Sequence, residues 1–125
     1  MDPASRCPCL SGLPYGECCG RFHAGEAAPT AEALMRSRFS AFAVGDTPYL
    51  LATWHPAKRP DTLDLDEELR WYRLDVTARE RGGPLDSEGS VTFEAFWRSP
   101  DDRGSQVERS LFRREGGRWY YWDGS

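Results

Sequence analysis

All four cysteines of this chain fall within residues 7–19, as Cys7, Cys9, Cys18 and Cys19. Structural disulfides usually connect distant segments, and both a Cys-x-Cys pair and a vicinal pair are poor disulfide partners by geometry. Four thiolates can instead surround one metal ion tetrahedrally, with Zn–S distances of about 2.3 Å. The spacing therefore predicts one four-thiolate metal site, most readily for zinc. Disulfides or a redox pair are the alternative interpretation.

The segment that carries the cysteines, residues 1–29, has frequent prolines and glycines, which disfavour a long helix or strand. A bound metal would supply the order that such a segment lacks, since metal binding contributes about 10–16 kcal/mol in small zinc modules. A site closed by four ligands has no open position for a substrate, so it predicts a structural or recognition role. His23 is a spare candidate ligand because it follows Cys19 closely.

Composition and charge limit the classes of partner. The formal net charge is −4 and the pI is about 5.2, whereas a nucleic-acid-binding surface needs a basic excess, so we do not expect nucleic-acid binding. No apolar window approaches the roughly 18–20 residues of a membrane helix, and the N-terminus lacks the pattern of a secretory signal. We therefore expect no membrane insertion and a cytoplasmic location, where clustered thiols stay reduced.

A helix is predicted to follow residue 29. Thr30 is a favourable N-cap, strong helix formers come after it, and Gly45 closes the segment. At 100° per residue, one face of this helix collects apolar side chains, namely Ala31, Leu34, Met35, Phe39 and Phe42. The opposite face collects Glu32, Arg36 and Ser40. The pattern is typical of an amphipathic helix on a protein core.

The rest of the chain predicts a second helix and then a sheet. The second helix covers residues 47–54 and ends at His55-Pro56, because a residue before proline leaves the helical region. The apolar period then changes to two, which predicts strands at residues 69–80, 89–98, 106–115 and 118–123. Gly116-Gly117 marks a tight hairpin turn. Helices followed by an antiparallel sheet of about four strands define an α+β fold.

Residues 7–20 resemble the SEC-C motif, the small metal-binding tail of the bacterial translocation ATPase SecA. The matching positions are Cys7, Pro8, Cys9, Ser11, Gly12, Tyr15, Cys18, Cys19 and Gly20. The sequence departs from the motif at Leu10, where glycine is usual. The resemblance implies that the four cysteines are the metal ligands, with iron in place of zinc in some modules. It also implies contact with a protein of the translocation or translation machinery.

Most of the chain resembles the YchJ-like family of bacterial proteins. The resemblance rests on residues 29–42, on Thr53-Trp54-His55-Pro56, on Glu108-Arg109-Ser110, and on the ending from Gly117 to Tyr121. It implies a SEC-C knuckle, residues 1–28, joined to an NTF2-like domain, residues 29–125. In that fold a cone of helices packs against a curved antiparallel sheet.

Arg38 falls near the centre of the apolar face of the first predicted helix. A buried guanidinium needs a carboxylate or several acceptors, and Glu108, Glu94 and Asp75 are the candidate partners. Three interpretations of Arg38 are open. Its side chain can extend to the rim of the cone, form a buried structural ion pair with one of these carboxylates, or belong to a small-molecule pocket.

Trp54 and His55, at the end of the second predicted helix, are the other candidate pocket residues beside Arg38 and Glu108. His55 before a proline is also compatible with a packed loop histidine. Two hypotheses of function follow. One is a non-enzymatic, metal-bearing interaction protein whose knuckle binds a protein partner. The other is a small-ligand-binding protein or enzyme that uses a polar pocket in the cone.

Overall fold

Helices and a sheet follow one another along the chain in the computed structural model, which describes residues 1–124. Ser125, the last residue of the predicted second domain, lies outside the described residues. The helices are α1 (Cys19–His23), α2 (Ala31–Val44) and α3 (Thr47–Ala52), and a 3₁₀ turn covers Tyr15–Glu17. The strands are β1 (Arg70–Arg81), β2 (Glu88–Arg98), β3 (Arg103–Glu115) and β4 (Arg118–Gly124).

The four strands form one antiparallel sheet in the order β1-β2-β3-β4, so the predicted α+β fold is confirmed. Each predicted strand is present, with ends that differ by a few residues. Gly116 and Gly117 have φ of 60° and 79°, the left-handed values that a two-residue hairpin turn between β3 and β4 requires. Short helical turns also form near the cysteines, where no long element was expected, since one turn fits between the prolines and glycines.

Helix α2 begins and ends where its sequence predicts. The Thr30 hydroxyl accepts a hydrogen bond from the Ala33 amide at 3.0 Å, and Gly45 closes the helix with φ of 78°. Helix α3 ends at Ala52, earlier than predicted. The reason is that the next residues pair with β4: the Tyr121 amide donates to the Thr53 carbonyl, and the His55 amide donates to the Tyr121 carbonyl, both at 2.8 Å.

The start of α2 is attached to the turn between β1 and β2. The Ala31 amide donates to the Gly82 carbonyl at 2.9 Å. Gly82 also lies against Gly89, where an added Cβ would stand 2.4 Å from the Gly82 Cα. The close approach of the two backbones requires glycine. The hydrogen bond from Ala31 to Gly82 attaches the helix to this end of the sheet.

Helix α2 is buried on more sides than its apolar pattern predicts. Leu34, Met35 and Phe39 pack against the sheet, as expected. Ser40, on the opposite face, is also fully buried, because the N-terminal segment covers that face, whereas Phe42 on the apolar face is 36% exposed. The helix therefore forms a layer between the cysteine segment and the sheet.

None of the helices within residues 1–124 is long and apolar enough to cross a bilayer.

Candidate metal centre and the adjoining cavity

The sulfurs of Cys7, Cys9, Cys18 and Cys19 come together in one cluster. Their Sγ atoms all lie within 4.8 Å of one another, with 3.6 Å between Cys9 and Cys18 and 4.0 Å between Cys18 and Cys19. Thiolates at about 2.3 Å from a zinc ion in a tetrahedron would lie about 3.8 Å apart. The cluster therefore has the dimensions of a four-thiolate metal site, and the four cysteines are free thiols.

Backbone turns bring the two cysteine pairs together. The Cys7 amide donates to the Leu13 carbonyl at 3.0 Å, and the Leu10 amide donates to the Cys7 carbonyl at 3.1 Å. The 3₁₀ turn then leads into α1, so that Cys19 begins that helix. Cys7, Cys9 and Cys19 are buried and Cys18 is half-buried, so the cluster faces the protein more than solvent.

Leu10 occupies the left-handed region in the first turn, with φ of 63°. This is the position at which the SEC-C motif usually has glycine. A side chain in this conformation costs about 1–2 kcal/mol, because Cβ approaches the following carbonyl. The backbone of the motif turn is thus retained despite the departure in sequence.

Two serine hydroxyls contact the sulfurs. The Ser11 Oγ lies 3.1 Å from the Cys18 Sγ, and the Ser40 Oγ lies 3.6 Å from the Cys7 Sγ. A hydroxyl that donates to a thiolate stabilises its negative charge, which is a role that outer groups commonly have around metal ligands. Ser11 belongs to the motif, but Ser40 comes from α2 and was not predicted.

Thiol–thiolate contacts inside the cluster shift the acidities of its members. Hydrogen bonds from Cys19 and Cys9 hold the pKa of Cys7 far below its ordinary value. Hydrogen bonds with Cys7 and Cys9, together with burial, raise the pKa of Cys19 above its ordinary value. One thiol of the cluster is thus easier to deprotonate and another is harder, and a cation bound by the four sulfurs relieves the repulsion among their thiolates.

His23 lies beside the cluster, but it is not one of the four clustered groups. Its Nε2 donates to the Ser37 carbonyl at 2.8 Å, so Nδ1 is the acceptor for the Tyr15 hydroxyl. Its ring also packs against Tyr49, with 4.5 Å between the centroids. His23 therefore connects the cysteine segment to α2 and α3.

Arg36 provides a second connection between α2 and the cysteine segment. Its Nη1 donates to the Cys9 carbonyl at 3.0 Å, and its Nε donates to Glu32 at 2.9 Å. Neither contact is evident from sequence, because Arg36 and Cys9 are far apart along the chain.

A cavity of about 340 Å³ lies on the other side of α2, between the helix and the sheet. Arg38, Trp54 and Glu108, three of the predicted pocket residues, line it. His55 lies outside the cavity, with its Nε2 2.5 Å from the Glu115 carboxylate and its ring against Tyr120 and Trp122. None of the described residues that line the cavity is a histidine.

Arg38 is buried, with 7% of its surface exposed, so it does not extend to the rim. Its Nη1 donates to the Leu50 carbonyl at 2.8 Å and to the Thr53 hydroxyl at 2.7 Å. Its guanidinium carbon lies 4.6 Å from the centroid of the Tyr121 ring and 5.5 Å from that of Trp54. Burial lowers the pKa of Arg38 to about 10.

The three carboxylates expected near Arg38 form other contacts. Asp75 pairs with Arg73 at 3.0 Å, Glu94 accepts from Ser105 at 2.6 Å, and Glu108 accepts from Ser110. Within residues 1–124, Arg38 has no carboxylate oxygen at ion-pair distance. Thr53 and Tyr121, which hold the guanidinium, were missed because only the pairing between α3 and β4 brings them to it.

Two family models together match nearly the whole chain. The model described as the middle NTF2-like domain of YchJ matches residues 30–124, and the SEC-C motif matches residues 5–21. A UPF0225 protein of Corynebacterium efficiens is 59% identical over 117 residues, which cover 93% of this chain and 89% of that protein. A UPF0225 protein of Streptomyces coelicolor is 51% identical over 123 residues, which cover 98% of this chain and 96% of that protein.

Solved structures show the same fold. The solution structure of a SEC-C motif containing protein from Rhodopseudomonas palustris superimposes with a TM-score of 0.82 at 37% identity, covering 97% of this chain and 98% of that one. The crystal structure of a SEC-C motif containing protein from Psychrobacter arcticus gives a TM-score of 0.80 at 30% identity. The match covers 97% of this chain and 82% of that one. The helices and sheet described above are thus those of an NTF2-like domain.

Proposed function

This chain belongs to the YchJ-like family, which joins a SEC-C motif to an NTF2-like domain, and on that premise we propose that it is a metal-binding, non-enzymatic interaction protein. The observation that carries the proposal is the cluster of four sulfurs within 4.8 Å of one another. Four thiolates complete a tetrahedral site and leave no position for a substrate. The metal then has a structural role and gives the knuckle, residues 1–28, a fixed surface.

Zinc is the proposed ion, and iron is the alternative, because both accept four thiolates in a tetrahedron. Reduced thiolates are needed for either ion, which favours a cytoplasmic location. Elemental analysis of protein purified without added metal distinguishes the two. Zinc should predominate in a colourless protein, whereas a visible thiolate-to-iron absorption band with matching iron content would overturn the choice of zinc.

The knuckle also presents apolar side chains to solvent. Leu10 and Leu13 are 46% and 48% exposed, and they lie on the loop between the two cysteine pairs. Exposed leucines on a loop between metal ligands are suited to contact another protein. In line with the SEC-C resemblance, we assign the partner to the translocation or translation machinery.

The partner proposal is tested by cosedimentation with ribosomes and by pull-down of the translocation ATPase. The double substitution Leu10→Ser and Leu13→Ser removes the apolar surface without changing a cysteine. Leu85→Ser is the matched control, because Leu85 is 94% exposed on the turn between β1 and β2. Binding should be lost in the double variant and retained in the control. Failure of the wild-type protein to bind either target, with metal present, would contradict this choice of partner.

A further inference from the structure

The cavity behind α2 has apolar walls around a small number of polar groups. Trp71, Phe93 and Phe112 from the sheet face Met35 and Phe39 from the helix. A volume of about 340 Å³ lies at the lower end of the range of small-molecule sites, which is about 300–1,000 Å³. The walls therefore suit a ligand with a compact apolar body.

One cationic group in this cavity has unused hydrogen-bonding capacity. Arg38 is more than nine-tenths buried, and only its Nη1 donates, to Leu50 and Thr53. Nε and Nη2 carry the other N–H groups of the guanidinium, and none of the described residues accepts a hydrogen bond from them. Trp54, on the cavity wall, also has a buried Nε1 without an acceptor.

No carboxylate within residues 1–124 lies at ion-pair distance from Arg38, so Glu108 compensates its charge only in part, from a longer distance. The rings of Tyr121 and Trp54 provide only cation–π contacts. A buried cation is stabilised by an anion that accepts its free N–H groups, and a carboxylate does so with two parallel hydrogen bonds. The free edge of the guanidinium is thus complementary to a carboxylate.

Glu108 limits the charge of the ligand. It is the acidic residue of the cavity lining and lies opposite Phe93 in the sheet, with its carboxylate held by Ser110. Arg38 and Glu108 together give the cavity no net charge. A ligand with two negative charges would be repelled by Glu108, whereas a single carboxylate on Arg38 is compatible with it.

We propose that this cavity binds a small monocarboxylate with an aromatic or similarly compact apolar body, and that Arg38 holds the carboxylate. The apolar body packs against the aromatic walls. This site is separate from the metal centre, which lies across α2, and its occupation does not depend on the partner of the knuckle.

The proposal is tested on the metal-bound, full-length protein with three probes: 3-phenylpropionate, its neutral counterpart 3-phenylpropan-1-ol, and inorganic phosphate. NMR titrations follow the Arg38 Nε–H and the indole N–H groups of Trp54 and Trp71. The carboxylate should shift these signals and bind at least about ten-fold more tightly than the alcohol, which corresponds to one charge-assisted hydrogen bond of about 1.4 kcal/mol. Phosphate should not shift them.

Substitutions test the effects of Arg38 and Glu108 on ligand binding one at a time. Arg38→Met should abolish the preference for the carboxylate over the alcohol, and Arg73→Met, at an exposed arginine, should leave it unchanged. Glu108→Gln should tighten binding of 3-phenylpropionate, since it removes the repulsive charge. Equal affinity for the acid and the alcohol in the wild-type protein, no shift up to the solubility limit of the probe, or weaker binding in Glu108→Gln would each overturn the proposal. The wild-type comparison remains decisive if Arg38→Met does not fold.

Discussion

The hydroxyl of Ser40, in the middle of α2, lies 3.6 Å from the sulfur of Cys7. Ser40 is fully buried, and this contact is one of several by which the cysteine segment packs on the helix. Arg38, two residues earlier, points to the cavity on the other side. One helix therefore separates the metal centre from the proposed ligand site, and each can be tested by substitutions that spare the other.

Ser40→Ala should weaken metal binding. The Ser40 hydroxyl donates to Cys7 when that sulfur is a thiolate, and loss of such outer contacts typically costs about 10–100-fold in metal affinity. Competition with a chromophoric chelator gives the affinity. Ser105→Ala, on β3 and far from the cysteines, is the control and should bind metal as the wild-type protein does. Equal affinities in the two variants would show that the contact is only a packing contact.

Leu10→Gly should leave stability unchanged or raise it. Glycine removes a left-handed strain of about 1–2 kcal/mol, which is offset by its entropic cost of about 0.5–1 kcal/mol. Leu10 is also 46% exposed, so little packing is lost. Leu13→Gly, at a position that is similarly exposed but without positive φ, should lower stability, because its entropic cost is offset by no relief of strain. Thermal unfolding of the metal-bound proteins measures the stability of both variants. A lower melting temperature for Leu10→Gly than for Leu13→Gly would show that the backbone at Leu10 is not strained.

Arg38→Met should lower the free energy of unfolding by about 1–2 kcal/mol, because it removes the donor that serves the Leu50 carbonyl and the Thr53 hydroxyl. No carboxylate within ion-pair distance, among residues 1–124, is orphaned by the substitution. Urea unfolding measures the change, with Arg73→Met as the exposed control. A loss of about 3 kcal/mol or more, as for a broken buried pair, would assign Arg38 a structural role instead.

Chelation of the metal should disorder the knuckle and leave the NTF2-like domain folded. The four strands pair along one sheet, with an unbroken register between β2 and β3, and α2 packs on the sheet through Leu34, Met35 and Phe39. None of these contacts needs the ion. Hydrogen exchange should therefore become fast in residues 5–24 while β2 and β3 stay protected. The melting temperature should also fall, since Cys7, Cys9 and Cys19 belong to the same buried cluster as Leu34. Global unfolding on chelation would contradict a separable knuckle.

Local patterns in the sequence predict much of the fold. The cap at Thr30, the glycine at Gly45 and the period-two segments each act on neighbouring residues, so α2 and the strands follow from them. The cysteine spacing likewise limits the four sulfurs to one short segment, and the structure brings them together.

The remaining features depend on contacts between distant residues. The burial of Ser40 arises because the cysteine segment covers a helix face that looks polar by periodicity. The surroundings of Arg38 depend on Thr53 and Tyr121, which meet only when the end of α3 pairs with β4. From the sequence alone His23 is a candidate metal ligand. In the structure its two ring nitrogens form hydrogen bonds with Tyr15 and Ser37 instead.

Native mass spectrometry of protein purified under reducing conditions, without added metal, tests the metal centre most directly. The four clustered thiolates predict a single species that carries one zinc ion per chain, because four ligands complete the coordination of one ion. The same spectrum after acidification should show the metal-free chain with four free thiols, since protons compete with the metal for sulfur. A metal-free native species whose mass is lower by the hydrogens of two disulfides would contradict the metal centre.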